Sequence, residues 1–317
     1  MKSTLKHLVA GLAAGLLFAA SAAHAQDKLR VGILPFSESL GAVMADKLGY
    51  FKEEGIEVEF SKFNSGALAL PVVQSGRLDI AFSNTVATLQ ALEQGFEGTI
   101  LAPGAVVRSS APDSTSVLMV AKDGAIKTPK DIAGKRIAVN VINSSAWLYV
   151  MAYLDKHGVD RSSVRFVEIP FPQMNDPLLN KQVDVISQVE PFSTMLAQTG
   201  KVDTLGHTYV ETQPGGEITQ YVALTDWVRK NPQLAQRFAR AIRKGSEYVN
   251  NPANNAAVRD ANVQFTGLNP AMKDRVTMPR LGTSVNEAEL RKTMEMMVKF
   301  NLLKKPVDLK GHVMAVK

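Results

Sequence analysis

Cysteine is absent from all 317 residues of the chain. Its absence excludes disulfide bonds, thiolate-ligated zinc or iron–sulfur clusters, a cysteine nucleophile and a cysteine-linked lipid anchor. Histidine is also scarce, and the three histidines after residue 25 are too far apart in sequence to form a local metal site. The patterns GxGxxG, GxSxG, HExxH and Walker A do not occur either. We therefore expect no metal, no cofactor and no catalytic residue, although an enzyme built from scattered residues remains an alternative.

Long hydrophobic runs are almost missing. The one clear run, Leu8 to Ala20, follows Lys2 and Lys6 and precedes Ala23-His24-Ala25. A basic start, a short apolar stretch and a small-x-small site are typical of a secretory signal peptide. The run is shorter than the roughly 20 residues that span a bilayer. The sequence predicts cleavage after residue 25 and export to the periplasm; the alternative is an uncleaved anchor.

Charge of one sign is not concentrated anywhere in the chain. Lys and Arg total 36 against 30 Asp and Glu, which gives a formal net charge of +6. The basic residues are dispersed, and no basic stripe with interleaved aromatics indicates a nucleic-acid surface. With 45% hydrophobic and 21% charged residues, the composition is that of a folded protein. We expect no stable membrane insertion and a monomer.

Apolar runs that suit strands alternate with segments of helical spacing. Strands are predicted near 29–34, 56–60, 78–82 and 99–107, then again near 117–120, 136–139, 164–169, 183–187, 202–205 and 219–225. Helical patterns fill the intervals, and residues after Asp226 look mostly helical. This alternation favours βα units, an α/β fold and parallel sheets.

Two turn-rich stretches, 108–116 and 212–219, border the second set of strands. They predict a first lobe made of 26–115 with 217–317 and a second lobe, 116–216, inserted into it. Two crossings between lobes imply a cleft and a hinge. The alternative is that both stretches are ordinary loops of one large domain.

Small polar residues recur where predicted strands lead into helices. They are Phe36-Ser37, Asn64-Ser65-Gly66, Ser83-Asn84-Thr85 and Asn143-Ser144-Ser145. Helix N-termini with free N–H groups bind anions, and ligands of open α/β sheets lie beyond the carboxyl ends of the strands. Plain helix capping explains any one cluster equally well. Four clusters in two lobes favour a ligand site.

Other side chains near the same edges extend this candidate site. Arg108 is a candidate partner for an acidic ligand group, and the alternative is a solvated hinge residue. Glu190 is a candidate for a ligand amine or hydroxyl, or a cap for the helix that begins at Pro191. Aromatic residues near these edges suit the body of a ligand or the core: Phe36, Trp147, Phe171, Phe192 and Tyr221.

Five segments, in order, carry a family resemblance. They are LRVGILP (29–35), LGYFKEEGIEVEF (48–60), SGALALPVVQSGRLDIAFSN (65–84), TPKDIAGKRIAV (128–139) and VDVISQVEPF (183–192). Together they strongly resemble periplasmic substrate-binding proteins of ABC transporters. The most similar group binds taurine, alkanesulfonates, nitrate and thiamine-pyrimidine precursors. The resemblance covers roughly residues 28–200.

The resemblance implies a two-lobed type II periplasmic-binding-protein fold, with a sheet flanked by helices in each lobe. It implies a ligand held between the lobes at the strand-end loops, closure by hinge bending, and delivery to a membrane permease driven by a separate ATPase. The family often has Trp-Glu-Pro where this chain has Val189-Glu190-Pro191. Phe192 is a candidate replacement for part of the missing tryptophan.

The expected ligand is a small organic anion, with a preference for a sulfonate or carboxylate. Nitrate and a neutral pyrimidine remain open. Alternatives for the protein are a periplasmic co-receptor for a sensor kinase and an exported enzyme. A related pyrimidine-forming enzyme depends on a cysteine-rich motif, which this chain lacks.

Overall fold

The computed structural model describes residues 26–109 and 115–316. The predicted signal peptide and residues 110–114 of the first predicted crossing lie outside the described residues. Within those two ranges, no helix has both the length and the hydrophobicity needed to cross a bilayer.

The first sheet has five strands in the order β2-β1-β3-β11-β4. Their bounds are β1 Asp27–Ile33, β2 Ile56–Lys62, β3 Ile80–Asn84, β4 Gly98–Pro103 and β11 Thr219–Leu224. Strand β1 is parallel to β2 and β3, whereas β11 is antiparallel to both β3 and β4. Two short strands, β5 Ala105–Val106 and β12 Arg280–Leu281, pair beside it.

The second sheet also has five strands, in the order β10-β6-β9-β7-β8. Their bounds are β6 Ser116–Ala121, β7 Arg136–Val139, β8 Arg165–Glu168, β9 Val185–Val189 and β10 Val202–Gly206. Strand β7 is parallel to β8 and β9, and β6 is antiparallel to β9 and β10. We call the parts of the chain around the first and second sheets the first and second lobes.

The α/β class is confirmed, but the expectation of parallel sheets is wrong for part of each sheet. In the first sheet, β11 returns from the second lobe and enters between β3 and β4 in the opposite direction. The strand predicted near 99–107 is also divided at Gly104. A Cβ there would lie 2.3 Å from the Phe82 ring, so this backbone passes too close for a side chain.

Twelve α-helices connect the strands in the described ranges. They are α1 Leu40–Lys47, α2 Tyr50–Glu53, α3 Leu70–Gln74, α4 Thr85–Glu93, α5 Ser145–Lys156, α6 Asn175–Leu179, α7 Phe192–Ala197, α8 Thr208–Thr212, α9 Thr225–Lys230, α10 Pro232–Asn250, α11 Asn255–Thr266 and α12 Glu287–Lys299. Helices α10 to α12 follow β11 and cover the first lobe, while α12 also contacts α5 of the second lobe.

Helices α1 and α10 pack without side chains between them at one point. A Cβ on Gly245 would lie 2.1 Å from the carbonyl oxygen of Gly41, which is closer than two such atoms approach. Glycine at these positions lets the two helices touch through their backbones. This contact holds α10 against the helix that follows β1.

The two chain crossings between the lobes lie side by side. The N–H of Val107 donates to the carbonyl of Gly216 at 2.8 Å, and the N–H of Ile218 donates to that of Ala105 at 2.9 Å. Two adjacent, hydrogen-bonded strands suit a hinge, because few torsions need to change for one lobe to rotate. We keep as a proposal that the lobes meet at 115/116 and 216/217 and move about these crossings.

Candidate functional site

A cavity of about 40 Å³ lies between the two sheets, and both lobes line it. A cavity of this volume holds a few water molecules. Its polar lining consists of Glu38, Asn64, Ser65, Asn84, Asn140, Ser144, Ser145, Tyr209 and Thr219. Its apolar lining consists of Leu34, Phe36, Gly66, Ala146, Phe171, Val189 and Ile218. Leu34 and Asn140 directly follow β1 and β7, Asn84 and Val189 end β3 and β9, and Asn64 lies two residues after β2, so the carboxyl ends of parallel strands in both sheets face the same space.

Gly66 brings the loop after β2 against the end of β3. A Cβ at this position would lie 2.5 Å from Ser83 Cα and 2.8 Å from the Asn84 backbone nitrogen. Both are backbone atoms and cannot rotate away, so only glycine fits here. The close approach places Asn64 and Ser65 beside Asn84 in the cavity lining.

One helix N-terminus from each lobe ends at the cavity. Asn84 caps α4, and its Oδ1 accepts the backbone N–H of Ala87 at 2.9 Å. Ser144 caps α5, and its Oγ accepts the backbone N–H of Trp147 at 3.3 Å. First-turn N–H groups have no partner inside a helix and attract negative charge. The cavity therefore lies between two helix ends that favour an acidic group.

The two helix ends touch each other. Ser145 Oγ donates to Asn84 Oδ1 at 3.4 Å and also lies 3.4 Å from the carbonyl oxygen of Ile218 in the second crossing. These long hydrogen bonds are weak ones. A ligand with stronger acceptors is able to compete for the Ser145 hydroxyl.

The apolar wall joins the lobes through three aromatic rings. Phe36 of the first lobe packs edge-on against Phe171 and Phe192 of the second, with both centroid distances at 5.9 Å. Phe36 is 5% exposed. Such edge-to-face contacts stabilise by about 0.5–1.5 kcal/mol beyond burial. The structure therefore shows the lobes in contact; Phe192 packs on Phe36 but is not among the residues that line the cavity.

Glu38 is the one carboxyl group among the described residues that line the cavity. No lysine or arginine occurs among those residues. Burial raises the pKa of Glu38 to about 7. Burial is the main cause of a raised pKa for the Tyr209 hydroxyl, and the negative charge of Glu38 is the second cause. Glu38 is thus a partly buried carboxyl group, and Tyr209 lines the same cavity.

Half of the site residues predicted from the sequence line this cavity. They are Phe36, Asn64, Ser65, Gly66, Asn84, Ser144 and Ser145. The other seven do not line it, and their contacts lie elsewhere. They are Ser37, Ser83, Thr85, Arg108, Asn143, Glu190 and Tyr221.

Four of these seven are buried in the first lobe. Ser37 Oγ donates to Asn262 Oδ1 of α11 at 2.8 Å, and Thr85 Oγ1 donates to the carbonyl of Glu217 at 2.7 Å. Ser83 is fully buried in β3. The Tyr221 ring lies 4.6 Å from that of Phe82 and 5.6 Å from that of Phe238. These contacts give the four residues packing roles.

The remaining three lie at the edges of the lobes. Arg108 Nη2 donates to the carbonyl of Met278 at 2.7 Å. Glu190 accepts the Thr194 hydroxyl at 2.8 Å and the backbone N–H of Thr277 at 3.3 Å, so it caps α7 and contacts the first lobe. Asn143 is exposed, with a positive φ of 63° that asparagine tolerates in turns.

Several lining residues were missed in the sequence. Asn140 directly follows β7 and accepts the Ser144 hydroxyl at 3.0 Å, so the polar cluster begins three residues earlier than predicted. Glu38 follows Phe36 in the same strand-end turn, and that position was the available signal. Tyr209 comes from helix α8, and Ile218 and Thr219 come from the second crossing and the start of β11; the sequence shows no ligand-binding pattern at any of them.

The fold and the interlobe cavity define a two-lobed binding protein. The family model described as "NMT1/THI5 like" matches residues 37–255, and the chain belongs to this family.

Relatives and solved structures agree with that assignment. The chain is 28% identical over 244 residues to the taurine-binding periplasmic protein of Escherichia coli K12, covering 76% of this chain and 72% of the relative. The alkanesulfonate-binding protein SsuA from Xanthomonas axonopodis pv. citri, bound to MOPS, has the same fold. Its TM-score is 0.76 at 18% identity, covering 92% of this chain and 99% of that one. The nitrate-binding protein NrtA from Synechocystis PCC 6803 has a TM-score of 0.73 at 13% identity, covering 90% and 84%.

Proposed function

We propose that the protein is the periplasmic solute-binding component of an ABC importer. It captures a small organic acid of the sulfonate or carboxylate type in the cavity between its lobes. The observation that carries the proposal is the pair of helix N-termini, capped by Asn84 and Ser144, that meet at this cavity from opposite lobes.

The acidic head of the ligand binds the first-turn N–H groups of α5, at Ser145 and Ala146, and the hydroxyl of Ser145. Amide side chains of Asn64 and Asn140 supply further donors. Phe36 and Phe171 cover the apolar body. A ligand that contacts both lobes stabilises their closed arrangement, because it loses half of its partners when they separate.

The proposed partners are a membrane permease and a separate ATPase, and the proposed mature chain begins at Gln26. We propose binding without turnover. Two of the three serine hydroxyls in the cavity, those of Ser144 and Ser145, donate to the amide oxygens of Asn140 and Asn84. An amide oxygen does not remove a proton from a nucleophile as a general base does. Names of relatives such as the taurine-binding periplasmic protein support the same conclusion.

A thermal-shift screen of residues 26–317 tests this function. The panel holds alkanesulfonates, aminosulfonates, carboxylates, nitrate and pyrimidines, and the protein is first unfolded and refolded to remove any ligand from the host. A ligand at 100 times its Kd stabilises by about 2.7 kcal/mol, which raises the melting temperature by several degrees. A selective rise with organic acids supports the proposal, and a rise with pyrimidines alone contradicts it.

A further inference from the structure

Glu38 has no partner in the part of the chain that the structure describes. Its carboxylate makes no ion pair or hydrogen bond within residues 26–109 and 115–316, although it lines the cavity. Glu190 and Glu217, two acidic residues that are buried near the two crossings, are both hydrogen-bonded. Glu38 is partly buried, and leaving a carboxylate unpaired there is costly, so its position calls for a function.

The turn that carries Glu38 is held in place on both sides. Ser37 donates to Asn262 at 2.8 Å, and Ser39 Oγ accepts the backbone N–H of Leu34 at 3.1 Å. Both serines are buried, so the residue between them is the one that contacts the cavity. The backbone position of Glu38 in the lining is therefore fixed.

Two parts of the cavity lining favour ligand groups of opposite charge. Helix N-termini at Asn84 and Ser144 favour negative charge. Glu38 and the neighbouring Tyr209 favour a positive group or a hydrogen-bond donor. A ligand with only an acidic group would leave Glu38 unpaired and add a like charge to the same cleft.

We propose that Glu38 is a specificity-determining residue that selects organic acids carrying a protonated amine. The ammonium group of the ligand donates hydrogen bonds to the Glu38 carboxylate, while its acidic group binds at the helix N-termini. The inference rests on the proposed function and narrows its substrate class to amino acids of the amino-sulfonate or amino-carboxylate type.

Calorimetric titration of two matched ligand pairs tests the inference. The pairs are 2-aminoethanesulfonate with ethanesulfonate, and 3-aminopropanoate with propanoate; in each, only the amine differs. The wild-type protein should bind at least one amine-bearing ligand about 10- to 100-fold more tightly than its amine-free partner. In Glu38→Gln, which keeps the side-chain size, that preference should disappear. Glu57→Gln, an exposed residue of β2, is the matched control and should keep it.

The pH dependence of binding adds a second readout. Because the pKa of Glu38 is about 7, its ionised fraction falls about tenfold between pH 8 and pH 6. Wild-type affinity for the amine-bearing ligand should fall by a similar factor. The affinity of Glu38→Gln should change little over that range.

The outcomes separate this inference from the proposed function. Equal affinity for amine-bearing and amine-free acids, or an unchanged preference in Glu38→Gln, overturns the role of Glu38 and leaves an organic-acid receptor. If no organic acid of the wider panel binds the refolded protein, the proposed function fails and the inference fails with it.

Discussion

Ser145 and Asn84 meet across the cleft, where the Ser145 hydroxyl donates to the Asn84 side-chain oxygen at 3.4 Å. Each residue stands at the N-terminus of a helix, α5 in the second lobe and α4 in the first. This contact brings two helix ends to one cavity. It is the basis of the ligand site proposed above.

Replacing Ser145 separates a binding role from a packing role. Ser145→Ala removes a cavity-lining hydroxyl, so ligand affinity should fall about tenfold while the free energy of unfolding changes by less than about 1 kcal/mol. Thr99→Val is the control, because it removes the hydrogen bond between the buried Thr99 hydroxyl and that of Thr225, outside the cavity. It should cost stability and leave affinity within about twofold. Urea unfolding and calorimetric titration measure the two effects, and the reverse pattern would contradict the site.

Gly66→Ala tests the backbone contact at the end of β3. The added Cβ would lie within 3 Å of backbone atoms of Ser83 and Asn84, so the loop has to move away from the cavity. We expect a loss of about 1–3 kcal/mol in stability together with weaker binding. Gly124→Ala serves for comparison, because its Cβ would lie 3.1 Å from the nearest atom and small shifts relieve the contact. Similar losses in both variants would argue against a special role for Gly66.

Phe36→Ala tests whether the aromatic contacts favour lobe closure. Phe36 packs on Phe171 and Phe192 of the other lobe, so its removal should shift the ligand-free protein toward open forms. Small-angle scattering should show a larger radius of gyration, and ligand affinity should fall. The control variant is Phe60→Ala, which removes a ring that contacts Phe51 within the first lobe. A scattering curve for Phe36→Ala that matches the wild type would refute this role.

The pH dependence of the free energy of unfolding, measured without ligand, tests whether the Glu38 carboxylate is unpaired. Burial raises the pKa of Glu38 in the folded protein from 4.5 to about 7. The protonated form therefore contributes its full stabilisation of the folded state below about pH 4.5. This contribution is lost as the pH rises through 7. At pH 8, Glu38→Gln should therefore be more stable than the wild type by about 1–3 kcal/mol. The difference should shrink toward pH 5. Thermal melts of both proteins at each pH give the comparison, and a constant difference would mean that the carboxylate has a partner.

The sequence predicts the strands and the strand-end position of the site because both are local properties. Apolar runs followed by Asn64-Ser65-Gly66 or Asn84 identify the ends of strands that later face one cavity. The same rule also included Ser37 and Thr85, whose side chains turn into the first lobe. Capping residues and ligand-binding residues have the same composition, and only the direction of the side chain distinguishes them.

The remaining part of the site depends on contacts between distant segments. Ile218 and Thr219 reach the cavity because the second crossing runs beside the first, which no local pattern records. The antiparallel entry of β11 has the same origin. The strand-end turn indicates the position of Glu38 in sequence, but its place in an interlobe cavity depends on distant residues such as Tyr209.

The most direct test of the central claim is an NMR titration of uniformly ¹⁵N-labelled, refolded residues 26–317 with 2-aminoethanesulfonate. The account predicts saturable shifts of the backbone amides of Ser65, Ser145 and Ala146 and of the side-chain amides of Asn64, Asn84 and Asn140. Shifts confined to surfaces outside the interlobe cavity, or no shifts with this or any other organic acid of the panel, would contradict it.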